Sequence, residues 1–237
     1  MIKDLDVVIF AAGNSKRIKS ELPKVLMQIQ GKPLLFYILE KYKKLNPRKI
    51  HIIINNKLIF LKYLFPQINF ILQKKIIGNA HAFKIFLRRT KIHNKKIIIQ
   101  NCDTPFIPES EILKVYNNLN LNDIAILGVK KKIYKKEGVI IHNKMKAEKI
   151  IEHKTFNKKE KVLKVYNSGL IGLKKNVLKL AHKIRKDNKS NEYNITDIIE
   201  IASKINKKVK LVLADKKIEV LGINTPQELL RARKILK

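Results

Sequence analysis

The stretch "LDVVIFAAGNSKRIKSELPKVL", residues 5–26, decides how this chain folds. Val7 to Ala12 form an unbroken apolar run, the pattern of a strand buried on both faces of a parallel sheet. The run ends at Ala11, Ala12 and Gly13, which carry almost no side chain, so a ligand can approach the backbone and N–H groups can face an anion. In open α/β sheets, ligands sit beyond the C-terminal ends of the strands, where this turn lies. Arg17 and Lys24 then add the positive charge that a triphosphate requires: arginine grips two oxygens and lysine acts as a mobile point charge. The turn is neither a Walker loop, whose Gly-Lys-Thr/Ser ending is absent, nor a G-x-G-x-x-G dinucleotide fingerprint. On these residues alone, an ordinary strand-to-helix turn with solvated basic residues is the competing reading.

The rest of the chain supplies the frame. "KPLLFYILEKYKKL" has helical period, with Leu35, Ile38, Leu39 and Tyr42 on one face. "KIHIII", "NFILQ", "KIIIQNCD" and "IAILGVK" read as further strands, separated by helical "KLIFLKYLF", "NAHAFKIFLRRT" and "ESEILKVYNNL". Apolar strands alternating with helices predict an α/β fold over residues 1–130, a mostly parallel central sheet with helices on both faces. "GVIIHN", "KAEKIIEHK" and "KVYNSGLIGLKK" are broken by polar residues and predict a small antiparallel insertion or lid. Helices "KNVLKLAHKIRKD" and "ITDIIEIASKI" come next, then strands "KVKLVLA" and "EVLGIN". In "TPQE", Thr225 is the predicted N-cap of a last helix, Pro226 its first residue and Glu228 the partner in a capping box. Lys130 to Lys136, "KKKIYKK", reads as a solvated loop.

The 237 residues suit one large α/β domain or two small ones. No apolar run reaches membrane-spanning length, the N-terminus has no signal-peptide pattern, and the lone cysteine excludes an internal disulfide and a cysteine-built metal site. These features predict a cytoplasmic protein without a membrane partner. The net charge of +33 invites a nucleic-acid reading. However, the lysines are spread along the chain with many Ile and Asn residues, the set that AT-rich codons encode, and aromatics are only 7% and scattered. Composition therefore accounts for the charge, which still attracts small anionic substrates and makes association sensitive to salt.

"AAGNSKRIKSELPKVL" resembles the signature loop of sugar-nucleotide pyrophosphorylases, A-A-G-x-G-T-R-M followed by S-x-L-P-K-V-L. It is most similar to the N-terminal domain of bacterial N-acetylglucosamine-1-phosphate uridylyltransferases. The similarity continues in order through "INFILQKKIIGNAHA", "QNCDTPFI", "IIEHK", "VYNSGL", "NEYNITDIIEIA" and "EVLGINTPQEL", almost the whole chain. The resemblance implies a Rossmann-like nucleotidyltransferase fold as a single domain over 1–237, with a nucleotide-binding part in 1–130 and a sugar-binding part in 131–237. It implies transfer of UMP from UTP to N-acetylglucosamine-1-phosphate with release of pyrophosphate, making a precursor of cell-wall and envelope polymers. Phe10, Ala11, Ala12 and Gly13 would line the nucleotide, and Gln73, Gly78 and Asn79 would recognise uracil. Arg17 and Lys24 would bind the triphosphate and stabilise the transition state. Asp103 and Asn224 would hold Mg²⁺, and Gly138, Glu152 and Asn167 would contact the amino sugar.

The chain departs from the family pattern at several positions. Asn79 replaces a Thr, "KEGVII" replaces Y-G-R-I, Thr155 replaces the Asp of E-x-K-D, and Cys102 precedes Asp103. The left-handed β-helix acetyltransferase domain of bacterial members is expected to be absent. Cys102 reads as a small packed residue rather than a nucleophile. His81 reads as packed or backbone-bonded rather than as a general base. Glu192 and Asp197 either cap a helix beginning near Ile195 or serve the site. The rival readings are a nucleotidyltransferase using CTP, another sugar phosphate or an alcohol phosphate, and a non-catalytic protein that binds nucleic acid.

Overall fold

The computed structural model describes residues 2–13, 20, 22–130, 138–152, 165–215 and 222–235. β1 (Leu5–Phe10) is buried along its whole length. It lies between two parallel neighbours, β4 (Lys49–Ile54) and β6 (Lys96–Asn101). Side chains alternate across it: Val7 and Ile9 join one core, Val8 and Phe10 the other. A strand with two cores has no polar face, which is why its sequence is an apolar run.

Helix α1 (Leu34–Leu45) buries Leu34, Leu35, Ile38, Tyr42 and Leu45, and ends where Asn46 takes a left-handed conformation with φ 48°. It shares a sheet face with the short α2 (Leu61–Leu64) and with α4 (Glu109–Asn118), which begins after Pro108. The opposite face is covered by α3 (Asn79–Arg89), a 3₁₀ helix over Lys175–Lys183, and α5 (Asp197–Lys204). The tight hairpin β2 (Gln28–Ile29) and β3 (Lys32–Pro33) turns at Gln30 and Gly31, both at positive φ. It packs with α6 (Pro226–Ile235) around Met27, Ile29, Ile223 and Ala232.

The remaining strands are β5 (Asn69–Leu72), β7 (Ile124–Lys130), β8 (Val139–Asn143), β9 (Lys146–Ile151), β10 (Val165–Lys174) and β11 (Val209–Leu213). Among the described residues the main sheet has nine strands, ordered β5-β4-β1-β6-β10-β7-β11-β9-β8. The parallel sheet, its helices on both faces and the antiparallel β8–β9 piece match the expected fold class. Three details differ from the sequence reading. "VYNSGLIGLK" is not part of the insertion; it runs antiparallel between β6 and β7 in the middle of the main sheet. Its Asn and Ser mark a register shift between Asn167 and Ile171, where Gly169 has φ 81°. "KNVLKLAHK" is 3₁₀ rather than α, and "KLIFLKYLF" splits into a 3₁₀ turn and α2. Half of "EVLGIN" and most of the Lys130 to Lys136 loop lie outside the described residues.

Candidate active site

The chain crosses from one side of β1 to the other when it passes from β5 to β6. The crevice at the C-terminal ends of β1 and β6 is therefore the topological switch point, the place where such sheets bind ligands. Ala11 and Ala12 are buried there. Ala11 N–H donates to Ile53 O at 2.9 Å, and the buried Asn55 amide donates to Ala12 O at 3.0 Å. Phe10 O accepts from Cys102 N–H at 3.2 Å, tying the ends of β1 and β6 together. Among the described residues, nothing lies within 4 Å of a Cβ placed on Gly13. Arg17 lies outside the described residues.

Three segments far apart in sequence meet beside this turn. Lys24, opening a 3₁₀ turn after Pro23, donates from Nζ to Asn224 Oδ1 at 3.0 Å and stands 3.6 Å from Asp103 Oδ2. The Lys24 and Asp103 side chains keep 14% and 24% exposure, enough for a ligand to reach both. The two oxygens flank one cation. Hard oxygen donors in this arrangement suit a magnesium-type ion, which commonly takes one or two protein ligands plus substrate phosphates. Among the described residues, no group of three or more His, Cys, Asp or Glu could hold a metal by itself.

Backbone bonds fix these groups. Ile223 N–H donates to Asp103 O at 2.8 Å, joining the segment before α6 to the turn after β6. The capping box at α6 has an extra reach. Glu228 N–H donates to Thr225 Oγ1 at 3.2 Å, while Glu228 Oε2 accepts from the N–H of Asn224, one residue earlier than predicted, at 2.7 Å. The cap thus positions Asn224.

A second support was missed in the sequence. The fully buried Tyr42 hydroxyl donates to Gln100 Oε1 at 2.7 Å, and Gln100 Nε2 donates to Thr104 O at 2.9 Å. The Lys41 ammonium donates to Pro105 O and sits over the Phe106 ring; burial pushes its pKa down to about 8. Helix α1 therefore grips the turn that carries Asp103. A lone Gln in an isoleucine strand was the available signal.

Among the residues expected to face the base, buried Gln73 gives its Nε2 to Gly78 O and to His81 Nδ1, both at 3.1 Å. Burial, helped by neighbouring Arg88, Lys84 and Lys75 and opposed by a backbone hydrogen bond with Lys75, holds the His81 pKa below its ordinary value. Gly78 has φ 111°, and a Cβ there would stand 2.3 Å from Tyr193 O. Asn79 Oδ1 accepts from Ile195 N–H at 2.7 Å, on the far segment.

The residues expected to contact the sugar also meet. Asn167 N–H donates to Gly138 O at 2.8 Å, and a Cβ on Gly138 would lie 3.3 Å from Glu152 Oε2. Asn167 Oδ1 accepts from Gly169 N–H at 2.9 Å. Thr196, not singled out from the sequence although it lies in "NEYNITD", donates from Oγ1 to Glu152 Oε1 at 2.8 Å. Asp197 opens α5; burial, with Glu152, Asp187 and Glu200 nearby, pushes its carboxyl up to about 6. Cys102 is buried and its thiol is pushed up to about 12 by that burial, which leaves it un-ionised, as a packed residue rather than a nucleophile.

Residues 7–167 match the MobA-like NTP transferase domain family. The chain belongs to that family. As an NTP transferase domain it is similar to the bifunctional protein GlmU of Buchnera aphidicola subsp. Baizongia pistaciae, 35% identical over 234 residues, 98% of this chain and 52% of that protein. GlmU of Thermodesulfovibrio yellowstonii is 31% identical over 98% of this chain and 52% of its own length. The transferase domain thus spans about half the length of these curated relatives. Its fold is shared with the inositol-1-phosphate CTP transferase from T. maritima, with TM-score 0.79, 16% identity, and 98% and 94% of the two chains covered. HddC from Yersinia pseudotuberculosis gives TM-score 0.74 at 20% identity, covering 98% and 99%. Among the described residues, no helix is long and apolar enough to cross a membrane.

Proposed function

We propose that this transferase domain is a Mg²⁺-dependent cytoplasmic uridylyltransferase that converts UTP and N-acetylglucosamine-1-phosphate into UDP-N-acetylglucosamine and pyrophosphate. The observation that carries the proposal is the convergence of Lys24, Asp103 and Asn224 beside the small-residue turn. The similarity to GlmU proteins along nearly the whole chain supports the choice of substrates.

An oxygen of the sugar phosphate attacks the α-phosphorus of UTP in line. The new O–P bond forms as the bond from the α-phosphorus to the bridging oxygen of the β-phosphate breaks, and pyrophosphate leaves with that electron pair. A phosphate monoester is largely dianionic at neutral pH, its second pKa being about 6, so no side chain has to remove a proton. The protein contributes position and charge. Phe10 to Gly13 line the nucleotide, and Lys24 with Arg17 offsets charge on the phosphates. Asp103 and Asn224 would hold Mg²⁺, which supplies Lewis-acid stabilisation of the phosphate oxygens. Gly138, Glu152 and Asn167 hold the sugar. Gln73 has both donors of its amide engaged, which leaves Oε1 to accept from an N–H on the base, such as that of uracil.

The test is pyrophosphate release across a panel of UTP, CTP and other nucleotides with sugar and alcohol phosphates. Release from UTP that requires N-acetylglucosamine-1-phosphate supports the reading. Release only with another pair retains the reaction class and discards the substrates. Silence across the panel, with salt-sensitive nucleic-acid binding that survives Asp103→Ala, replaces the enzyme by a binding protein.

A further inference from the structure

Resting on the uridylyltransferase reading, we infer that Asn79 is a positioning residue for the sugar-phosphate acceptor, acting on the sugar side although it sits in the loop assigned to the base. The loop Gln73 to Gly78 and the segment Tyr193 to Thr196 are stitched together at close range. Tyr193 N–H donates to Ile77 O at 3.0 Å, and Ala80 N–H donates to Tyr193 O at 2.9 Å. Gly78 packs so tightly on Tyr193 that no side chain fits between them. Asn79 closes this seam through its side chain, Oδ1 accepting from Ile195 N–H at 2.7 Å.

The residue after Ile195 gives the bond its consequence. Thr196 is buried and donates to Glu152 Oε1 at 2.8 Å. Glu152 in turn lies against Gly138, whose carbonyl accepts from Asn167 N–H. A shift of the Ile195 backbone is passed through Thr196 to the carboxylate proposed to hold the sugar. The Gln73 side chain does not depend on the Asn79 bond. Gln73 is held by its own bonds to Ile54 O, Gly78 O and His81, and none of these involves the Asn79 side chain. An asparagine oxygen committed to a backbone N–H also has one acceptor site fewer to offer a base.

The experiment compares wild type with Asn79→Ala and Asn79→Asp, the latter retaining an acceptor oxygen. Steady-state constants are measured separately for nucleotide and sugar phosphate, and amide hydrogen exchange is followed over Tyr193 to Asp197. Asn79→Ala should raise KM for the sugar phosphate by about tenfold, the scale of one lost hydrogen bond, with KM for UTP and the UTP-over-CTP preference unchanged. Exchange at Ile195 should accelerate, and Asn79→Asp should restore both readouts. If Asn79→Ala does not fold, Asn79→Ser, which shortens the acceptor without adding bulk, carries the same expectation. A variant that raises KM for UTP or loses the UTP preference while sugar KM holds overturns the inference and leaves the enzyme reading intact. So does unchanged exchange at Ile195. A wild type silent with every substrate pair overturns the enzyme reading and the inference with it.

Discussion

Replacing Gln100 by Leu tests whether helix α1 holds the turn that carries Asp103. Gln100 is fully buried and links two other groups: it accepts from the Tyr42 hydroxyl at 2.7 Å and donates to Thr104 O at 2.9 Å. Leu has similar volume, so packing is largely retained and the loss is polar. Both the hydroxyl and the carbonyl lose this partner away from water. At about 1–3 kcal/mol for each of the two orphaned buried groups, Gln100→Leu should destabilise the domain by about 2–6 kcal/mol. Tyr42→Phe orphans only Gln100 Oε1 and should cost about 1–2 kcal/mol. The double variant orphans only Thr104 O, so its cost should fall short of the sum of the single costs by at least about 1 kcal/mol. Urea denaturation of the four proteins at one pH gives these values. Turnover of Gln100→Leu at temperatures where it is folded should also need more Mg²⁺, because the turn bearing Asp103 has lost one of its ties. Strict additivity, or a Gln100→Leu protein as stable as wild type, would refute the reasoning.

Lys24→Ala should lower the turnover rate by at least about a hundredfold, the typical effect of removing one charge that stabilises a transition state; near-normal turnover would exclude that role. Gly78→Ala forces a Cβ to 2.3 Å from Tyr193 O at a φ of 111°, so the seam must open. The expected loss is about 3 kcal/mol or more, read by thermal unfolding. Asp197 has a folded pKa of about 6, raised from 3.8 chiefly by burial. Its favourable contribution is therefore present below the unfolded value and lost as pH rises through about 6. Asp197→Asn should raise Tm by about 3 °C near neutral pH and lose that advantage below about pH 4. An advantage that does not change with pH would contradict this.

Much of the fold was legible because burial writes itself into strands. β1, β4, β6 and β7 are apolar runs since each faces two cores, and the α1 period reflects its one buried face. β10 was misplaced because Asn167 and Ser168 interrupt its pattern at a bulge, and a bulge within a central strand looks in sequence like a surface break. The site was legible where chemistry demanded odd residues, such as Asp103 at the end of an isoleucine strand. Thr225 and Glu228 announced a cap, but not that Glu228 would reach Asn224. The Tyr42–Gln100–Thr104 relay and the Asn79–Ile195 bond join residues whose meeting depends on tertiary packing, and no local pattern encodes either.

The proposed reaction is direct attack by a sugar-phosphate oxygen on the α-phosphorus of UTP. It is tested most directly by supplying N-acetylglucosamine-1-phosphate with heavy oxygen in its non-bridging phosphate positions, together with UTP and Mg²⁺, and weighing the products. The expected products are a UDP-sugar that retains all the heavy oxygen, one atom of it now bridging the two phosphates, and unlabelled pyrophosphate. Labelled pyrophosphate, or pyrophosphate released without any nucleotide sugar, would contradict it.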